Sequence, residues 1–144
     1  MARIGILNCS NASQELGCAM SACLADWRKK KGGFSKYEDG ERIDLIGVIN
    51  CPGCPTLTGT DKLMQRIQGL TAFRLDALHL SNCIVALCPF KMKYIDAIKQ
   101  SYPELTVIEG THQEHISRED FRAGVKQLFN QPRQTMTDFI LGRL

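Results

Sequence analysis

The residues best able to do chemistry are seven cysteines, two of them spaced as Cys51-Pro52-Gly53-Cys54 directly after the apolar run IDLIGVIN. A Cys-x-x-Cys pair can present two thiolates to a metal, cycle between dithiol and disulfide, or carry no chemistry at all. Seven is odd, so complete internal pairing is impossible. The opening MARIGILNC lacks the apolar region of a signal peptide, and no stretch approaches a bilayer span, so a cytoplasmic protein is expected. In that reducing setting, thiols at this density are more often ligands or redox groups than structural disulfides.

Four short segments rich in Ile, Leu and Val read as strands buried on both faces: 3–8, 43–50, 76–81 and 105–110. Helical spacing runs between them. Leu16, Met20, Cys23, Leu24 and Trp27 mark a first helix, stopped by Gly32. Leu63, Ile67 and Leu70 mark a second, opened by a Thr58–Asp61 capping box. Met92, Ile95 and Ile98 mark a third, with Pro89 suited to its first turn and Pro103 closing it. Phe121, Val125, Leu128 and Phe129 mark a fourth, opened by Ser117 and Asp120. Alternating strands and helices predict parallel β-α units with right-handed crossovers. The expected fold class is α/β: a three-layer sandwich on a four-stranded parallel sheet, flavodoxin-like or Rossmann-like, in the order 2-1-3-4.

The chain length suits one core. We expect a single α/β domain over 1–130 and a helical extension over 131–144. Met136, Phe139, Ile140 and Leu144 share one face of that extension, which packs on the body or makes a homodimer contact. Phe34 and Tyr37 anchor the long connection 31–42. The net charge of +3 is too small to argue for nucleic acid or a membrane surface. The run Arg28–Lys31 reads as a solvated helix end.

On this frame Cys9 ends the first strand, Cys51 and Cys54 the second, and Cys83 the third, with Cys88 ahead of the third helix. His112 ends the fourth strand, and Cys18 and Cys23 fall at the start of the first helix. Parallel strands share one carboxyl rim, about 4.8 Å from neighbour to neighbour. The reversal of strand order opens a crevice in that rim. Cys54 and Cys88 precede helix N-termini, where thiolates are favoured. The same ends could hold another anion, but no P-loop or G-x-G-x-x-G pattern is present.

Metal is the first chemistry this supports. A zinc site needs four N/S ligands. Cys51 and Cys54 can give two and Cys83 and Cys88 two more. Cys9, Cys18, Cys23 and His112 exceed one zinc and point to several metals, an iron–sulfur cluster, or an open site with spare thiols. Thiol–disulfide exchange by Cys51 and Cys54 is the alternative, and a metal or cluster carrier or oligomeric binding module is another. A phosphatase or arsenate-reductase loop is excluded, since no cysteine is followed by five residues and an arginine. His79, inside a strand, reads as a core histidine. His112 is a candidate ligand or acid–base group, and His115 a loop residue. Asn50 and Asn82, each just before a rim cysteine, can donate hydrogen bonds to sulfur. No general base or substrate signature stands out.

The chain resembles the CGGC-domain family of metal-binding proteins. The matching pieces are RIGILNC, Cys18 and Cys23 before a helix, GGFSKYE, NCPGCP, DALHLSNC, the LCP at 87–89 and EGTH. The resemblance implies an α/β domain with a zinc or other metal site of cysteines and histidine, and supplies no reaction. Two positions depart from its pattern: Pro52 stands where the namesake motif has glycine, and Phe90 where a histidine is expected.

Overall fold

A computed structural model of the chain describes residues 1–53, 59–130 and 134–143. Cys54, Thr58, Pro132 and Leu144 lie outside the described residues, and with them the expected Thr58–Asp61 box. The strands are β1 (Ala2–Asn8), β2 (Ile43–Asn50), β3 (Ala77–Leu80) and β4 (Thr106–Glu109), on the four apolar runs. They form one parallel sheet in the order β2-β1-β3-β4. This is the α/β architecture and strand order read from the sequence.

Side-chain alternation along β1 feeds two cores. Ile4 and Ile6 meet Met20, Cys23 and Phe34 on one face. Leu7 joins Leu78, Leu80, Leu63, Ile67, Ile95 and Ile98 on the other. Helix α1 (Ser21–Lys29) and a 3-10 turn at Gly32–Lys36 therefore cover the first face. Helices α2 (Gly59–Thr71) and α4 (Lys91–Ser101) cover the second. Each fully buried Leu, Ile or Phe contributes about 1.5–3 kcal/mol. Gly5 and Gly47 pair across β1 and β2 beside a register shift. A Cβ on Gly5 would fall 2.6 Å from a Leu70 methyl, and one on Gly47 2.8 Å from the other, so both glycines let α2 close on the sheet.

Two helical expectations are corrected. The first helix is broken: a π-helical turn spans Asn11–Glu15, Gly17 and Met20 take positive φ, and α1 starts only at Ser21. Second, the stretch after β3 is itself helical, α3 (Asn82–Leu87), capped by the Ser81 hydroxyl accepting from Ile84 N–H. In α4 the buried stripe is Tyr94, Ile95 and Ile98. Met92, 59% exposed, sits off that seam.

Helix α5 (Arg118–Phe129) is capped by the Ser117 hydroxyl, which accepts from Asp120 N–H, and buries Phe121, Val125 and Leu128. Phe129, expected inside, is exposed. Helix α6 (Met136–Ile140) has a complete capping box of Thr135 and Asp138. Its Met136 is fully buried and its N–H donates to Leu16 O at 2.8 Å. The Phe139 ring packs tilted against Phe121, with centroids 5.4 Å apart. The tail thus packs on its own chain's body. No helix among the described residues is long and apolar enough to cross a membrane.

Candidate functional site

Strand register sets the first part of the site. Asn8 pairs with Asn50, so the residues that follow, Cys9 and Cys51, leave the sheet side by side. Both are buried. The Cys51 sulfur is surrounded by donors. The Ser10 hydroxyl lies 3.4 Å and the Ser10 N–H 3.5 Å from it, and the neighbouring Cys9 thiol and Gly53 N–H further favour its charged form. Pro52 has no N–H to give, and Gly53, at φ +108°, turns its own N–H back, a conformation glycine adopts without strain. These bonds, the Cys9 thiol first, outweigh burial and pull the Cys51 pKa down to about 5. The same pairing, with burial, drives Cys9 upward, so of the two sulfurs Cys51 is the one that gives up its proton first. Arg66, on α2, donates to Asn50 O at 2.8 Å and Cys51 O at 3.3 Å and fixes the strand end.

A second group of thiols lies around α1 and α3. Cys83 is buried in the first turn of α3, and its pKa is raised by burial and then by Cys18 and Cys23. The half-buried Cys18 sulfur accepts from Met20 N–H at 3.4 Å. Cys23 is buried and raised, burial being the main cause. Thr111 Oγ1 accepts from Asn82 N–H at 3.4 Å and lies 3.1 Å from Cys23 Sγ, to which it can give its proton. Asn82 ties the end of β4 to this group. Its Oδ1 accepts from Thr111 N–H at 3.0 Å, and its Nδ2 donates to His112 O at 2.6 Å. The His112 Nδ1 lies 3.2 Å from that Nδ2 and 3.1 Å from Gln113 O.

The eight expected ligands therefore do not form one set in the described residues. Cys9 lies with Cys51, and Cys83 feels Cys18 and Cys23 without the three sulfurs meeting at one point. Cys54 lies outside the described residues. Cys88 caps the far end of α3 whereas Cys83 lies in its first turn, so most of a six-residue helix separates them and they do not share a loop. At about 1.5 Å of rise per residue their Cα atoms stand roughly 7 Å apart along its axis. Among the described residues no three His, Cys, Asp or Glu side chains converge as a metal-binding group.

His79 is the satisfied core histidine expected. Its Nδ1–H donates to Gly110 O at 2.9 Å, which leaves Nε2 to accept from the Tyr37 hydroxyl at 2.8 Å. Burial lowers its pKa, and burial raises Tyr37 to about 12. The glycine pair in GGFSKYE brings Tyr37 there. Gly33 N–H donates to Thr111 O at 2.9 Å, and a Cβ on Gly33 would overlap the Gly110 carbonyl. His112 also lines a cavity of about 280 Å³ with Ala22, Ala86, Phe121 and Phe139.

Ser10, Asn8, Thr111 and Arg66 are contributors that sequence reasoning missed. A visible signal for one of them was the Asn-Cys dipeptide, which occurs at 8–9, 50–51 and 82–83.

No curated protein and no solved structure matches the chain. The family model of the CGGC domain matches residues 3–112, from β1 through β4 to His112. That span holds every thiol and amide just described and more than half of the sequence, and the chain belongs to the CGGC domain family.

Proposed function

We propose that the protein binds a thiophilic metal ion or metal–sulfur cluster at the carboxyl rim of its sheet. Cys9, Cys51, Cys54 and Cys83 are the leading ligands, and Cys18, Cys23, Cys88 and His112 the further donors. The observation that carries this reading is the placing of two buried sulfurs, Cys9 and Cys51, at adjoining strand ends, with the Ser10 N–H and hydroxyl 3.5 and 3.4 Å from the Cys51 sulfur. Thiolate is the form that ligates, and hydrogen bonds to sulfur tune ligands of this kind. The donor set is soft sulfur with one imidazole, which suits zinc or iron–sulfur chemistry and not magnesium or calcium. When bound, zinc would supply a Lewis acid or a structural clamp, and a cluster would supply electron transfer. Of the chain's own groups, Ser10 and Gly53 orient the Cys51 sulfur, Arg66 fixes the strand end, and Asn82 joins His112 to α3.

Elemental analysis and an absorption spectrum of protein purified without oxygen test the proposal. Stoichiometric zinc in colourless protein, or iron and sulfide in brown protein, supports it. Cys51→Ser and Cys83→Ser should each release metal; full retention in both contradicts the ligand assignment.

The depressed pKa of Cys51 also favours a second reading, thiol–disulfide exchange. The Cys51 thiolate would attack a substrate disulfide and expel one thiolate. Cys54 would then displace the second, closing a Cys51–Cys54 disulfide as the substrate is reduced. Metal-free protein with a reversible 51–54 disulfide would favour this chemistry over ligation.

A further inference from the structure

Asn8 closes β1, flanked by β2 and β3, and is 1% exposed. Its side-chain Nδ2 is buried with no hydrogen-bond partner among the described residues. Burying an amide donor unpaired is costly, and a leucine of similar shape would avoid that cost. Alternation along β1 places the Asn8 side chain on the face of Ile4 and Ile6, where α1 packs and Cys23 lies. The other two Asn-Cys asparagines have polar partners. The Asn50 Oδ1 accepts from Ser13 hydroxyl at 3.0 Å, and Asn82 bridges Thr111 and His112. Of the three, Asn8 alone carries a buried donor without a partner.

We propose that Asn8 is a positioning residue whose side-chain amide donates to the Cys23 sulfur, the thiol on its own face of the sheet, once Cys23 is a deprotonated ligand of the metal-loaded rim. The inference rests on the metal-binding reading above. A protonated thiol is a weak acceptor, whereas a ligating sulfur is deprotonated and charged. Metal binding therefore creates the acceptor that this donor lacks. Hydrogen bonds from outer partners to ligands are worth roughly 10–100-fold in metal affinity.

The test uses Asn8→Leu and Asn8→Ala in the full chain. Zinc affinity is measured by competition with a chromophoric chelator, melting temperature with and without zinc, and the sulfur-to-metal band with cobalt(II). The zinc dissociation constant should rise about tenfold in both variants. The zinc-induced rise in melting temperature should shrink in both, and the cobalt band should shift. Zinc-free Asn8→Leu should melt no lower than the parent, because it removes an unpaired donor. Reading the zinc-induced rise within each variant cancels any general destabilisation, so Asn8→Ala reports even if Asn8→Leu folds badly. Unchanged zinc affinity and an unshifted cobalt band in both variants overturn the inference while leaving the metal site standing. If the parent itself takes up neither zinc nor cobalt, the metal-binding reading fails, and the role of Asn8 falls with it.

Discussion

Ser10 meets the Cys51 sulfur twice, through its backbone N–H at 3.5 Å and its hydroxyl at 3.4 Å. Both donors stabilise the thiolate, so removing the hydroxyl must raise the proton affinity of Cys51. Ser10→Ala should lift the midpoint of Cys51 alkylation by about one pH unit. Cys9→Ala, which removes the leading cause of the shift, should lift it further. Iodoacetamide rates against pH, followed at Cys51 by mass spectrometry, measure both. Identical midpoints in all three proteins would remove the hydrogen-bond explanation.

The same thiolate makes metal-free stability depend on pH. Folding lowers the Cys51 pKa from about 9 to about 5, so its stabilisation is full above the unfolded value and declines as pH falls towards the folded one. Cys9 opposes this at high pH. Its raised pKa keeps the proton in the fold while the unfolded chain releases it above pH about 9. Urea midpoints should therefore climb between pH 5 and pH 8 and stop climbing beyond 9. In Cys51→Ala the climb should flatten.

A buried imidazole adds to the acid side. The His79 pKa is lowered by burial, so below the ordinary value of 6.5 the unfolded chain binds a proton that the fold resists, and stability falls. His79→Gln should be less steep than the parent between pH 7 and pH 5. Tyr37→Phe leaves Nε2 buried and unpaired and should cost about 1–3 kcal/mol at pH 7. Parallel urea titrations of the three proteins at several pH values check both expectations.

At Gly33 any side chain meets the Gly110 carbonyl, which is backbone and cannot rotate away. Gly33→Ala should cost about 1–3 kcal/mol. Because Thr111 and His112 follow that carbonyl, the Cys23–Thr111 contact should loosen as well. Faster labelling of Cys23 in the variant, at denaturant-free equilibrium, would report it.

Met136 is fully buried, far along the chain from the residues it covers. Met136→Ala should cost about 2–5 kcal/mol. With α6 docked on its own body, the chain's mass by size exclusion should not change in the variant, whereas a drop would point to a contact between copies through this helix.

The strands and their order were legible because each carries a short run of Ile, Leu or Val bounded by polar residues, although only the central β1 and β3 are buried on both faces and the edge strands β2 and β4 are not. IDLIGVIN admits few other readings, and Cys9, Cys51 and Cys83 each follow closely on such a run. The helix over 82–87 was not legible, since Asn82, Cys83, Ile84, Val85 and Ala86 are all buried and show no polar face to set a period. Met20 reads as a helical residue by spacing, yet takes φ 63° as the cap of α1, a choice set by packing under β1 rather than by propensity. In the site, cysteines could be counted from the sequence. The donors around them could not: Ser10 reaches Cys51 only because β1 and β2 run in register. Likewise Cys9 meets Cys51 because β1 and β2 pair, whereas Cys23 on α1 and Cys83 on α3 are brought near each other by helices whose starts the sequence did not show.

The backbone contact of Gly33 with Gly110 also governs where the chain tolerates being cut. A break or an inserted loop at 32–34 would unseat the end of β4, although these residues lie in a connection. Glu38, Asp39 and Gly40 are exposed, and a Cβ on Gly40 would meet nothing within 4 Å. A circularly permuted chain opened there would keep both glycines, Tyr37 and the sulfur rim on one continuous polypeptide.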